Sequence, residues 1–513
     1  MIPLSAKAET PDATGTVAST ESNSVEQLVF SEANRRVKIH GLSEQEYVNA
    51  SLNLDQSLEV NEFASQLVAE LHNLGYVAAE AVVISSNEIF VNIGIVSSIH
   101  VSGVSGALKN QIESLARMQL GAKININSLD STLTNINSLS GIDANMALKA
   151  DGNELMNPNG WTPDRNTSHY TLYINVSHDT KQHGALTIDS APRKLFQRNR
   201  ATVSHSINSA FVGGDRISGS FTHIWGDHES DQNEGSVTYF LPLLNNGLYA
   251  ELYGSYTASK NEVSSNVVAD FAGSSYTAVL GYPLVRRHDE TLTIVGGLGY
   301  QLSDQDGQPV GKVSAGTSTL FYNHSDPHGN SITSGITITG GNAESQTIAK
   351  ENGGFSHFRI GAGYIHSLSE ISDDTELRIE AFGQFTTSTL PSSQKFTLGG
   401  DNFLRGYPTG VFSGDEGVNA TIEIGHKFFP DNSLFKGLNL KGFYDYGLVK
   451  NRQSNSNSSN RPVSKSISSV GIAATIDLER DLSISGWLAA PFDKGNQGET
   501  LDPAAYLKIS KGW

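Results

Sequence analysis

Apolar and polar residues alternate with a period of two from about Gln182 to the end of the chain, whereas the first third shows helical spacing between short extended runs. Leu377, Ile379, Ala381 and Phe385 alternate with Glu376, Arg378, Glu380 and Gln384. Ala420, Ile422, Ile424 and Phe428 alternate with Thr421, Glu423, Gly425 and Lys427, and Leu438 and Leu440 with Asn439 and Lys441. Successive side chains of a strand point to opposite faces, so each segment carries one apolar and one polar face. Stretches rich in Ser, Asn, Gly and Asp, such as 227–235 and 453–460, read as the loops between strands.

The N-terminal third is organised differently. Residues 1–34 are polar and rich in Ser, Thr and Glu, with one amphipathic piece over 25–30, and read as a leader able to form one short helix. Over residues 35–97, Val37–Gly41 reads as a strand, while Val60, Phe63, Leu67, Leu71 and Leu74 recur at helical spacing before the helix-stopping Gly75. Two strands follow, Val77–Ile84 and Glu88–Ile95, around a Ser-Ser-Asn turn. Residues 98–178 echo this order: a strand at Ile99–Gly103, helices at Leu108–Leu120 and Ile126–Leu139, and strands at Ala144–Lys149 and Tyr170–Val176 after a polar insertion over 151–167. Two small α+β modules in tandem are the expectation.

For residues 183–513 two architectures fit period two: a soluble sandwich burying its apolar face, or a membrane barrel turning that face to lipid. About 16 strands of roughly 9 to 11 residues, each with its connection, fill the segment well. Aromatic residues at strand ends (Tyr239, Phe240, Tyr249, Tyr253, Phe428, Phe429 and Trp487) suit an interfacial girdle. Composition agrees, with 50 glycines and an apolar fraction of only 38% among 513 residues. No run is long enough for a transmembrane helix. The absence of cysteine removes disulfides, thiolate metal sites and thiol nucleophiles. A formal charge of −18 argues against a phosphate-tracking nucleic-acid surface. The first residues lack a secretory signal, so an exported protein is expected here in processed form with a replacement Met.

Enzyme motifs are weak. Gly307-Gln308-Pro309-Val310-Gly311-Lys312-Val313 is one residue short of a phosphate loop and has Val313 where a magnesium-binding hydroxyl is needed, so it reads as a turn. His223, His228, His324 and His328 sit near loops and read as exposed rather than as metal ligands. No catalytic residue, metal site or cofactor is expected.

The most specific segment is Gly399-Gly400-Asp401-Asn402-Phe403-Leu404-Arg405-Gly406-Tyr407-Pro408, between two alternating strands. It resembles the Leu/Val-Arg-Gly-Tyr/Phe loop of the two-partner secretion translocators, the TpsB proteins related to BamA. Gly442-Phe443-Tyr444-Asp445-Tyr446-Gly447 resembles that family's Phe-x-Asp-x-Gly strand motif, and the tandem modules resemble polypeptide-transport-associated (POTRA) domains. The terminal Tyr506–Trp513 strand resembles the C-terminal signature of outer-membrane barrels, with Lys511 departing from its apolar pattern.

Periodicity independently places Phe443, Asp445 and Gly447 on the polar, lumenal face of their strand. An inward carboxylate wants a cation, and Arg405 on an inward loop spanning about 399–415 would supply it. A water-filled lumen would screen the pair and keep its contribution near ~1 kcal/mol. Leu404, Arg405, Gly406 and Tyr407 on the loop, with Phe443, Asp445 and Gly447 on the wall, are therefore the candidate site.

The resemblance implies a 16-stranded transmembrane antiparallel β-barrel in the bacterial outer membrane, two periplasmic POTRA modules and a leader helix that plugs the pore. It also implies a monomer embedded in outer-membrane lipid whose client is one unfolded TpsA-type exoprotein: an adhesin, haemolysin or contact-dependent inhibition toxin. Export would need neither nucleotide nor enzyme chemistry. A barrel-assembly or insertion factor, a passive porin and a soluble β-rich adhesin remain as alternatives.

Overall fold

Val60, Phe63, Ala64, Leu67 and Leu71 form one buried stripe on a helix because they recur every three or four residues. In the computed structural model, the described residues are 28–29, 36–55, 58–151, 168–190, 198–226, 231–243, 245–264, 267–346, 352–401, 403–429, 435–452, 464–494 and 501–513. The chain divides into two compact units, residues 1–98 with 119–126 and 149–171, and residues 99–118 with 127–148 and 172–513.

In the first unit lie β1 (Leu28–Val29), β2 (Arg36–His40), α1 (Glu44–Ser51), α2 (Val60–Asn73), β3 (Glu80–Ser85) and β4 (Glu88–Asn92). The sheet order is β1-β2-β4-β3, with β2 and β4 parallel. Ser43 and Glu46 close a reciprocal capping box at the start of α1. Val37, Ile39, Tyr47, Phe63, Leu67, Leu71, Ile89 and Val91 share the core. Leu28–Val29, read from sequence as part of a short helix, is extended and pairs with β2, where an edge strand offers backbone partners that a two-residue segment can use. The rest of the leader, including the expected plug helix, lies outside the described residues.

The module that follows consists of β5 (Ile95–Ser102), α3 (Gly106–Ala116), α4 (Ile126–Asn137), β6 (Ile142–Ala150) and β7 (His169–Asp179), with sheet order β5-β7-β6. Helices α3 and α4 belong to the second unit, together with the barrel.

Sixteen of the strands after residue 180 close into an antiparallel barrel. The first eleven are β8 (Gln182–Ser190), β9 (Arg198–Asn208), β10 (Arg216–Gly226), β11 (Gln232–Pro242), β12 (Tyr249–Ser264), β13 (Val267–Arg286), β14 (Glu290–Gln305), β15 (Gln308–Ser325), β16 (Ser331–Ser345), β17 (Gly353–Ser367) and β18 (Thr375–Thr386). Two short strands outside the ring follow, β19 (Phe396–Leu398) and β20 (Phe412–Gly414). The ring resumes with β21 (Glu416–Phe428), β22 (Phe435–Lys450), β23 (Ser464–Leu478), β24 (Leu482–Pro491) and β25 (Ala504–Gly512), which pairs with β8.

Closure satisfies every edge, the condition for strands to cross hydrocarbon. Leu298, Ile338, Ile472 and Leu488 each expose more than half of their surface on the outer face. Apolar side chains turned outward around a closed ring exclude the soluble sandwich. No described helix is long and apolar enough to cross a membrane. Several strands exceed the expected length, up to 20 residues in β13. The segment resembling a phosphate loop lies at the β14–β15 hairpin, whose turn residues Asp306 and Gly307 both have positive φ, as a tight turn requires.

The aromatic girdle is only partly realised. Phe428 is exposed on the outer face and Phe429 is exposed just past the end of β21, but Trp487 is buried beside Phe443 and Tyr506. Its position follows from parity: Trp487 alternates with outward Leu488, so it points inward. Phe240 and Tyr249, opposite in parity to outward Val237 and Leu252, likewise face inward, where their rings lie 5.4 Å apart.

Candidate functional site

Between Thr386 and Glu416 the chain turns back into the barrel instead of extending away from it. Gln384 on β18 anchors the base, its amide donating to the carbonyls of Gln394 (3.1 Å) and Asp415 (2.9 Å). The Asp415 carboxylate accepts from the backbone of Leu390 (2.9 Å) and Arg452 (2.7 Å). Strands β19 and β20 zip the two arms together, and residues 399–411 form the tip. Leu398, Leu404 and Tyr407 are at most 1% exposed and pack on Val449 and Ile467 of the wall. Burying these side chains favours the inward position, because inside the barrel they find an apolar patch that the water outside lacks.

At the tip, Leu404 takes a φ of +60°, in the left-handed region that non-glycine residues avoid. The neighbouring contacts hold it there: its side chain fits against Gly447, where a Cβ would lie 2.3 Å from Leu404 Cδ1. Gly406 (φ +95°) lies against Ala489. The Tyr407 hydroxyl donates to the Ser468 carbonyl at 2.9 Å and accepts from the Asp493 amide at 2.9 Å.

These contacts aim Arg405 at the wall. Asp445 accepts from the Arg405 backbone N–H (2.9 Å), Nε (2.9 Å) and Nη2 (2.8 Å), and from the Thr421 hydroxyl (3.0 Å). Arg405 Nη1 donates to Glu423 at 2.6 Å, and Lys441 Nζ donates to the other Glu423 oxygen at 3.1 Å. The guanidinium lies 3.4 Å from the centre of the Phe443 ring. All seven residues singled out in the sequence, Leu404, Arg405, Gly406, Tyr407, Phe443, Asp445 and Gly447, therefore meet in one place.

Three points differ from the sequence reading. Arg405 is 6% exposed and Asp445 0%, so the pair is not a screened contact in a wet lumen but a buried, fully hydrogen-bonded one. Glu423 and Thr421 were visible only as members of an alternating strand. The registers Thr421↔Asp445 and Glu423↔Phe443 bring them into the network. Arg200 was also missed: it reaches Asp401 at the start of the tip.

Among the described residues, one trio, Asp130, His288 and Asp289, brings metal-capable atoms within 4.8 Å of one another, and none of the three belongs to the loop or its receptor. His228 lies outside the described residues, and His223 pairs with Asn233 at 2.9 Å and stacks on Trp225.

The model of the haemolysin secretion/activation proteins ShlB/FhaC/HecB matches residues 169–476, more than half of the chain. The chain belongs to this family of two-partner secretion translocators. The heme/hemopexin transporter protein HuxB of Haemophilus influenzae is 32% identical to it over 166 residues, covering 30% of this chain and 28% of that protein. The match therefore spans less than a third of the relative's length. CdiB from Escherichia coli has the same fold, with a TM-score of 0.74 at 16% identity over 98% of this chain and 93% of that one. CdiB from Acinetobacter baumannii gives 0.69 at 16% identity over 90% and 82%. BamA from Haemophilus ducreyi, lacking POTRA domains 1–3, gives 0.50 at 12% identity over 93% and 99%. The translocator family and the closed barrel agree with an outer-membrane location.

Proposed function

We propose that this translocator exports one large TpsA-type exoprotein, an adhesin, haemolysin or contact-dependent inhibition toxin, unfolded and without nucleotide hydrolysis. The carrying observation is the inward loop, whose Arg405 is clamped by Asp445 and Glu423 on the barrel wall. A surface turn has no reason to bury an arginine; a loop that must keep one position inside a conduit does. In this reading Leu404, Gly406 and Tyr407 seat the tip, and Phe443, Asp445 and Gly447 form its receptor.

The POTRA modules lie in the periplasm, where an extended client adds a strand to an exposed sheet edge before entering the lumen. Folding of the client outside supplies the driving force. The translocator works as a monomer in outer-membrane lipid, with no nucleic acid and no cofactor.

The test is export of a co-produced TpsA-type secretion-domain protein from the same genome, at matched barrel levels. Arg405→Ala is expected to leave the barrel assembled and to stop export. Normal export by both Arg405→Ala and Asp445→Ala would remove the role assigned to the pair, and export of no client by the native chain would remove the reading itself.

A further inference from the structure

The loop has a second ionic contact, on the opposite flank from Arg405. Arg200 follows the parity of Thr202 and Ser206 on β9, opposite to outward Val203 and Ile207, so it faces the lumen. Its Nε donates to both oxygens of Asp189 on β8, at 3.1 and 3.0 Å. Asp189 stands directly across the ladder from Arg200 on one side and from Lys508 of β25 on the other. With its side chain 3% exposed, Asp189 is a buried carboxylate that needs this cation. Of its outer nitrogens, Nη2 reaches Asp401 Oδ2 at 3.4 Å, and the guanidinium also meets the Tyr506 hydroxyl of β25.

Asp401 and Arg405 are four positions apart in sequence, yet they are held by strands on either side of the β25–β8 closure, β9 on one and β21 with β22 on the other. Four strands, β23, β24, β25 and β8, lie between those two flanks in the barrel order, and just past Arg405 the tip rests on two of them, Gly406 on β24 and Tyr407 on β23. The Arg405 end is fixed by short bonds within a buried network. The Asp401 end depends on one long bond between side chains that are 32% and 29% exposed. Gly399 and Gly400, both at positive φ, precede Asp401 in a backbone conformation that β-carbon-bearing residues avoid, and the Gly400 N–H donates to the Tyr407 carbonyl at 3.2 Å, so what remains for Arg200 to fix is the Asp401 side of that turn.

We propose that Arg200 is a positioning residue for export: seated on Asp189, it holds Asp401 and so fixes the arm of the loop that Arg405 does not reach. This rests on the export reading above. Two anchors on opposite flanks set the angle of the tip as well as its depth, whereas one anchor would leave it free to swing. Arg200 suits the task because a planar fork can serve a buried carboxylate and a loop carboxylate together, which a lysine ammonium does less well.

The chain has no cysteine, so Val411→Cys, half-buried against Gly399 and the apolar cluster of the tip, gives a single maleimide site that the docked loop shields. The full-length protein in detergent micelles is labelled without any client. Asp401→Asn, which leaves Arg200 on Asp189, is expected to raise the labelling rate about two- to fivefold, the range for a half-exposed ion pair. Asp401→Glu should return it to the parent value. Raising salt should speed labelling of the parent and leave the Asp401→Asn protein unchanged, a dependence that a loss of packing would not produce. Arg200→Gln should behave like Asp401→Asn where it assembles, and export should fall in the same order.

Labelling of Asp401→Asn at the parental rate, with the same salt dependence, overturns the anchor. So does faster labelling with undiminished export, which would deny the contact any part in translocation. Export of nothing by the parent chain refutes the export reading separately, because the labelling result needs no client.

Discussion

Arg405→Ala should undock the loop far more than Asp445→Asn, although the two residues share the same bonds. Removing the guanidinium leaves Asp445, 0% exposed, with only the Thr421 hydroxyl and a backbone N–H. It also leaves Glu423 with Lys441 alone. An uncompensated buried charge costs about 3 to 5 kcal/mol, so the docked population should fall by a factor of about a hundred to several thousand. Asp445→Asn keeps the shape and an oxygen for the Arg405 N–H, and Arg405 keeps Glu423 at 2.6 Å and the Phe443 ring. Losing the charge on one acceptor costs about 1.5 to 3 kcal/mol, a factor of about ten to a hundred. The barrel ladders are untouched, so heat-dependent gel mobility should be normal in both variants. Maleimide labelling of Val411→Cys, shielded in the docked loop, reads loop position directly. Equal labelling of the two variants, or stronger labelling of Asp445→Asn, would refute the assignment of Glu423 as a second acceptor that cushions the loss.

Gly447→Ala would place a Cβ 2.3 Å from Leu404 Cδ1 and 2.8 Å from Leu398 Cδ2, so overpacking of about 1 to 3 kcal/mol should loosen the loop and lower export, and adding Leu404→Ala should restore part of both. Single-tryptophan proteins should separate the two faces of the barrel: Trp225, outward on β10, should be quenched by brominated lipid, and Trp487, buried inside, should not; quenching of Trp487 would reverse its placement. In the first module, burial acts to raise the Glu46 carboxyl, but hydrogen bonds from Lys123 and Ser43 outweigh it and hold the group below its ordinary value. A depressed carboxyl contributes stability that is complete above its unfolded pKa and lost as pH falls through the folded one. Protection of the α1 amides in the full chain, corrected for the intrinsic pH dependence of exchange, should therefore fall on acidification below about pH 4.5, and Glu46→Gln should blunt that change. An unaltered acid response in Glu46→Gln would count against the Lys123 contact.

Much of this molecule was written in the order of its residues. Period two from Gln182 onward specified strands with one face for lipid and one for the lumen, because strand geometry leaves alternate side chains no other choice. The same parity put Phe443, Asp445 and Gly447 on the lumenal face, and the glycines with Pro408 marked a loop able to approach the wall. Helical spacing at Val60, Phe63, Leu67 and Leu71 located α2.

What the linear pattern left open depends on which strand lies beside which. Register with β22 makes Thr421 and Glu423 partners of the Arg405–Asp445 pair, and register of β8 with β9 seats Arg200 on Asp189. Dryness of the site likewise comes from three dimensions: a polar lumenal face reads as wet in sequence, yet Leu398, Leu404 and Tyr407 fold over it and exclude water. Trp487 shows the converse, since an aromatic near a strand end looks like a girdle residue until parity and the neighbouring Phe443 place it inside. Alternation tells each side chain which face of its own strand it occupies. Only the closed barrel, by bringing strands distant in sequence edge to edge, decides what it meets there.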